Sequence, residues 1–189
     1  MADDVKQANR DEVSTERKIE DLYDLIDGIE VAMMTTRRPD GRLVSRAMQT
    51  QERRGNADLW FVTNVADHKI DELAHDPQVN LSYYKDRTRE WVSVSGRAVL
   101  SQDRDLVRGL YKLDWKAWFP DEGGDRNGGP DDPRIALIDV RAESVVYSKK
   151  DRPAVVQMFS IVKAMVTGSA PKTADLRTVT EQELRTDRR

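Results

Sequence analysis

The sequence predicts a mainly β fold: an antiparallel barrel, closed or split, of six to seven strands with flanking helices. Three observations carry this expectation. Seven short runs rich in alternating or β-branched residues recur, at 31–36, 43–51, 59–63, 79–84, 91–100, 135–140 and 144–148. Several are joined by hairpin-length connections with explicit turn chemistry. Only a few segments repeat their apolar residues at helical spacing, which leaves antiparallel strands as the main material of the core.

The elements follow in chain order. Met1 to Val13 is polar and is expected to be a flexible tail. Ser14 or Thr15 suits a helix cap, and Ile19, Leu22, Tyr23, Ile26 and Ile29 recur on one helical face that plugs one end of the barrel. Asp27-Gly28 loosens the end of this helix. Val31 to Thr36 is a strand, and Arg38-Pro39-Asp40-Gly41 turns it back, because Pro presets φ and Gly accepts positive φ. Leu43 to Gln51 is the return strand. The cluster at 54–58 leads into Leu59 to Thr63 as a further antiparallel partner. A helix then carries Ile70, Leu73 and Ala74 on one face until Asp76-Pro77 stops it.

Val79 to Tyr84 and Trp91 to Leu100 form the next strands, with Gly96 marking a bulge or a close backbone approach. Asp103 to Lys112 is helical, with Leu106, Val107 and Leu110 aligned. Trp115, Trp118 and Phe119 cluster beyond it, a density that suits a core or a dimer interface. Asp121 to Pro133 holds four Gly, two Pro and four Asp, and reads as a mobile loop. Ile135 to Val140 and Ser144 to Ser148 form a closing pair of strands. A helix begins near Pro153, and the charged stretch 169–189 reads as a loosely attached tail. The expected organisation is therefore a tail at 1–13, one domain at 14–168 and a polar C-terminal tail at 169–189.

Composition narrows the function classes. The chain has 189 residues, a net charge of -3 and a pI near 5.5, which disfavours a nucleic-acid groove or an anionic membrane surface as partner. It has no cysteine, so disulfides, thiolate nucleophiles and cysteine metal sites are excluded. No run approaches the ~20 apolar residues of a membrane helix, and a cytoplasmic protein is expected. His68 and His75 lie two turns apart on one helix without an acidic partner at ligand spacing, so no metal site is expected. No G-x-S-x-G elbow and no G-x-x-x-x-G-K loop occurs.

The chemically informative stretch is 43–73. Val44, Arg46, Met48 and Thr50 share one strand face, and a guanidinium in that company requires an anion or a carboxylate. Lys69 sits in the first turn of the helix that follows Thr63-Asn64-Val65-Ala66-Asp67. A strand feeding a helix through such residues presents backbone N–H groups and hydroxyls suited to an anion. Arg46 and Lys69 together make a candidate phosphate clamp, the first forking two oxygens and the second a point charge.

The order of motifs resembles a known family. Arg46-x-Met48-Gln49, Trp60-Phe61-Val62-Thr63-Asn64, Lys69-x-x-x-Leu73, Asp76-Pro77-x-Val79-x-Leu81, 92–98, Trp118-Phe119-Pro120 and 129–133 are similar to the pyridoxamine-phosphate-oxidase-like flavoproteins. The similarity runs from Ile19 to Gly168 and is strongest toward the general stress protein 26 branch. It implies an FMN-binding split β-barrel, with FAD as a possible cofactor and one site shared between two subunits of a homodimer.

Carried over by position, Arg46 and Lys69 hold the phosphate. Met48, Gln49, Val62 and Thr63 line the ring and ribityl group, with help from Glu90-Trp91. Trp118 and Phe119 stand near the ring from the partner chain. The resemblance implies no catalytic side chain, only an FMN-dependent oxidoreductase working with a small-molecule electron donor or acceptor. A deazaflavin is the alternative cofactor. A non-enzymatic module holding another phosphorylated ligand, or none, is the alternative function.

Three departures from the family pattern stand out. Asp67-His68 replaces a hydroxyl and a small or cationic residue, and Asp67 is expected to turn away from the phosphate and cap the helix. Ser148 replaces an aromatic. The C-terminal Arg–His segment of the true vitamin oxidases is missing, which argues against vitamin oxidation.

Overall fold

The computed structural model describes residues 13–53, 58–150 and 175–187. The expectations for the N-terminal tail at 1–12, the turn at 54–57 and the helix from Pro153 to Gly168 lie outside these residues. Helix α1 (Thr15–Ile29) opens the described chain, followed by β1 (Val31–Arg37), β2 (Leu43–Gln51), β3 (Leu59–Asn64) and α2 (His68–His75). Then come β4 (Gln78–Lys85), β5 (Glu90–Ser101), α3 (Arg104–Leu110), a 3-10 turn (Leu113–Ala117) and β6 (Ile135–Lys149). Strand β7 (Asp175–Thr180) and α4 (Glu181–Asp187) end it.

The strands run β3-β2-β1-β4-β5-β6-β7, all described pairings being antiparallel, and β3 also pairs with β6. Six strands therefore close a barrel, and β7 lies outside it on the far half of β6. The predicted class holds.

Alternation sets which side chains enter. Ala32 and Met34 of β1, Leu81 and Tyr83 of β4, and Val92 and Val94 of β5 are buried together with Leu22 and Ile26 of α1. Ser14 caps α1 by accepting from the Arg17 N–H, and Glu30 ends it at φ 66 while its N–H returns to the Ile26 carbonyl. A second apolar cluster covers the barrel's outside, where Trp60, Ile135 and Leu137 meet Val107, Leu110, Trp115 and Phe119. This outer cluster fixes the 3-10 turn beside β3.

Three sequence expectations are corrected. The closing pair of strands is a single 15-residue strand, β6. Where the two runs were separated the strand continues through a register shift: Ser95 pairs with Ser144 and Gly96 with Ala142. Gly96 does mark the irregularity.

The 169–189 stretch contains β7 and α4. Its inward positions are Asp175, Arg177 and Val179, so a charged strand concealed its period. Arg177 bonds the fully buried Asp21 of α1, which also receives Lys149 and, at 3.0 Å, Arg17. That cluster ties β7 to α1 through charge rather than apolar area.

The Asp121 to Pro133 loop, expected to be mobile, is anchored by Arg134. Its guanidinium donates to Asp132 at 2.7 Å, Glu122 at 2.7 Å and the Pro120 carbonyl at 2.8 Å. The Arg134 hydrogen bonds hold the Asp132 carboxyl down at about 2. A Gly- and Asp-rich segment without a core is thus ordered by polar bonds, with Arg104, Arg108 and Tyr111 adding contacts to Asp132, Asp131 and Gly128.

A β-carbon added at Gly96 would stand 2.3 Å from the Arg141 carbonyl oxygen. Gly96→Ala is therefore expected to cost about 1–3 kcal/mol, as overpacking does, read as a lower urea midpoint. A variant as stable as the wild type would show that the two strands do not hold this approach.

Candidate functional site

The site begins where two strands part. β2 and β3 are hydrogen-bonded only at Thr50–Phe61 and Gln51–Trp60. Beyond that point β2 stays on β1 down to Leu43, while β3 follows β6 as far as Asn64–Ile135. Two neighbours in one sheet thus diverge, and the gap between 46–51 and 62–64 is a cavity of about 400 Å³. That is within the range of small-ligand pockets. The 3-10 turn and the residues after it wall the open side with Asp114, Trp115, Trp118 and Phe119.

The cationic side comes from β2 and the start of α2. Arg46 lies opposite Met34 across β1–β2, so it points to the inner face of the sheet. Its guanidinium donates to Glu72 Oε1 at 2.8 Å and to Thr36 Oγ1 at 2.9 Å, and Thr36 in turn donates to Glu72 Oε2 at 2.6 Å. Glu72 is buried on α2, and the Arg46 hydrogen bond holds its carboxyl below the ordinary range against the cost of burial. The carboxylate partner that Arg46 required is therefore internal.

Lys69 is buried, and its ammonium donates to Thr63 Oγ1 at 3.1 Å and to Asp67 Oδ2 at 2.5 Å. Asp67 also caps α2, accepting the Lys69 N–H on Oδ1 at 3.0 Å. Partial burial pushes the Asp67 carboxyl up, but its bonds to Lys69 and the nearby Arg46 charge bring it below the usual value. The expected cap is present. The expected turning away is not, because Asp67 stays on the cavity wall with one oxygen on the ammonium.

The Val65 N–H donates to the Arg134 carbonyl, and those of Ala66, Asp67, Lys69 and Ile70 are satisfied locally by Asn64 and Asp67. The helix start therefore offers less to an anion than its sequence suggested.

The far side is mainly aromatic, with Asp114 among its residues. Trp115 and Phe119 are buried in the outer cluster, while Trp118 is 77 % exposed at the rim. Gln51 Oε1 and Trp115 Nε1 are buried without a hydrogen-bond partner among the described residues, and both residues line the cavity. Gln51 ends β2 and Trp115 lies in the 3-10 turn, and each unpaired atom is costly where it is buried.

Of the nine residues expected at the site, the cavity gathers Arg46, Met48, Gln49, Val62, Thr63, Lys69, Trp118 and Phe119. Trp118 and Phe119 reach it from the same chain, where the resemblance implied a partner. Trp91 does not line it; this residue sits on the outward face of β5, paired with Tyr84. Sequence reasoning missed Gln51 and Trp115. Gln51 closes the strand that carries Arg46, and a Gln in a run about to be buried was the available signal. Trp115 was visible as part of the aromatic cluster, but nothing in its spacing distinguished packing from lining. No described helix is long and apolar enough to cross a membrane.

Comparison with known proteins gives the same picture. The family described as pyridoxamine 5'-phosphate oxidase like matches residues 17–172. Protein bli-3 of Neurospora crassa is 39% identical over 187 residues, covering 97% of this chain and 90% of that protein. A Clostridium acetobutylicum protein related to general stress protein 26 superposes with a TM-score of 0.64 at 16% identity, over 91% of this chain and 99% of its own. A pyridoxamine 5'-phosphate oxidase-related, FMN binding protein of Nostoc punctiforme superposes with a TM-score of 0.56 at 16% identity, over 72% and 84%.

The Glu72 bonds give a pH signature. Its carboxyl is held below its ordinary value of 4.5 in the fold, so the unfolded chain binds the proton more readily. The stability it contributes is complete above that value and disappears as pH falls through the lower folded one. Glu72→Gln is expected to cost about 1–3 kcal/mol near pH 7, where a charge-assisted partner is lost. The gap between variant and wild type should narrow in urea melts at pH 3, and a gap that stays constant would count against this assignment.

Proposed function

This chain belongs to the pyridoxamine 5'-phosphate oxidase-like family, and from that premise we propose that it is a homodimeric flavoprotein holding FMN in the gap between β2 and β3. The reading includes an oxidoreductase role in the cytoplasm with a small-molecule electron donor or acceptor. One observation carries it: a single cavity is lined by two cations, by the open edges of β2 and β3 and by an indole wall. Arg46 and Gln51 are five residues apart on β2, roughly 16 Å at ~3.3 Å per residue. That separation suits a ligand with an anion at one end and a polar-edged ring at the other.

FMN has those features. Arg46 and Lys69 would take its phosphate. The unpaired edge of β2 at Met48 and Gln49, with Val62 and Thr63 of β3, would flank the ring and ribityl chain. Bound there, FMN supplies electron or hydride transfer, and the protein's part is to hold, orient and exclude water.

The outer face supports the dimer. Val31 and Met33 of β1 and Tyr84 of β4 are 46%, 44% and 57% exposed on one side of the sheet, with Trp91 beside Tyr84. In this reading a second copy covers this face, and Trp91, which does not line its own chain's cavity, belongs to the interface.

A second reading is a binding module that holds another phosphorylated ligand, or none. The carboxylates already bonded to Arg46 and Lys69 favour it. Turnover of reduced flavin with an electron acceptor separates the two.

Purified protein is expected to be yellow and to release FMN, identified by mass. Arg46→Ala and Lys69→Ala should each weaken FMN by about 1–3 kcal/mol and leave riboflavin binding nearly unchanged. Colourless protein that takes up no flavin, with both variants silent, ends the proposal. Tyr84→Asp is expected to yield a monomer by light scattering that also retains less FMN. A wild-type monomer with full FMN would remove the dimer from the reading.

A further inference from the structure

The two carboxylates beside the cations are not equivalent. Glu72 has a side chain only 6% exposed and is bonded at both oxygens, one to Arg46 and the other to Thr36. It is a fixed counter-ion that orients the guanidinium. Asp67 has a side chain 37% exposed and lines the cavity, and among the described residues its carboxylate bonds Lys69 alone, through the ammonium and the backbone N–H. It is the anion that an incoming phosphate meets at Lys69.

Capping does not explain its charge. The cap bond uses Oδ1, and Asn or Ser caps a helix as well as Asp does. Oδ2 is free to do something else, and what it does is occupy the cation. A further carboxylate, Asp114, lines the cavity from the 3-10 turn opposite, so the cavity's negative charges offset its positive ones before any anion arrives.

We propose that the Asp67 carboxylate is a built-in competitor for the cofactor phosphate, one that an incoming phosphate must displace from the Lys69 ammonium. Its charge sets how tightly the chain holds a phosphate-bearing flavin relative to the phosphate-free one. The inference rests on the FMN reading above and assigns to Asp67 a role opposite in sign to that of its neighbours Arg46 and Lys69.

The test is titration of FMN and of riboflavin, followed by flavin fluorescence, into wild type, Asp67→Asn and Asp67→Ser. Both substitutions keep a capping side chain, and thermal melts establish that each variant folds. FMN is expected to bind at least one variant on the order of tenfold more tightly, since a like charge has left ion-pair range. Riboflavin should bind all three proteins equally. Unchanged or weaker FMN binding by both folded variants overturns the inference while leaving the FMN reading intact, and a gain shared equally by riboflavin overturns it too, because the effect is then not on the phosphate. No binding of either flavin by any of the three removes the FMN reading and this inference with it.

Discussion

The structure depends on one strand keeping faith with a different neighbour. β3 pairs with β2 for only two residues and with β6 for six, so its direction is set by β6. β2 is held by β1 from Leu43 to Gln49. Neither strand can close the gap without breaking a longer ladder. The opening between them is therefore enforced by backbone hydrogen bonds, and Arg46 and Thr63 line its two sides because their strands cannot meet. The outer cluster of Trp60, Trp115 and Phe119 completes the arrangement by fixing the wall beside β3.

A cavity held open in this way has to manage buried charge. Lys69 is only 7% exposed in its side chain, and Arg46 faces the inner side of the sheet. Such cations without counter-ions would oppose folding strongly. Glu72 and Asp67 remove that cost, and Thr36 and Thr63 supply further acceptors. The same bonds that stabilise the chain by itself compete with any anion brought to the site. Stability and anion affinity thus pull against each other at these positions, and they do so unequally because Glu72 is buried and Asp67 is not.

Most of the barrel was legible because its strands alternate cleanly and its turns use Pro and Gly where geometry demands them. Arg38 to Gly41 and Gly96 are examples. The failures share a cause. β7, the anchored loop before β6 and the partner of Arg46 all rest on buried ion pairs, through Arg177 and Asp21, Arg134 and Asp132, and Arg46 and Glu72. Charged residues look solvent-facing in a sequence, and only tertiary placement reveals which are paired inside. At the site, the two cations and the flanking strands were readable from motif order. Gln51 and Trp115 were not, because an unpaired buried atom is a property of packing.

The titratable groups around the cavity also bear on what the protein itself contributes. Asp67 is held ionised by Lys69, and the bonds to Arg46 and Thr36 do the same for Glu72 despite its burial. A carboxyl kept below its ordinary range is a poor proton donor near neutral pH, and one engaged by an ammonium or guanidinium is a poor base. His68 and His75 are both exposed and do not line the cavity. These described groups are therefore suited to placing charge, and proton transfer is not their strength. A site of this kind suits chemistry carried by a bound group, with selectivity set by how the split between two strands, two paired cations and an indole wall accept its shape.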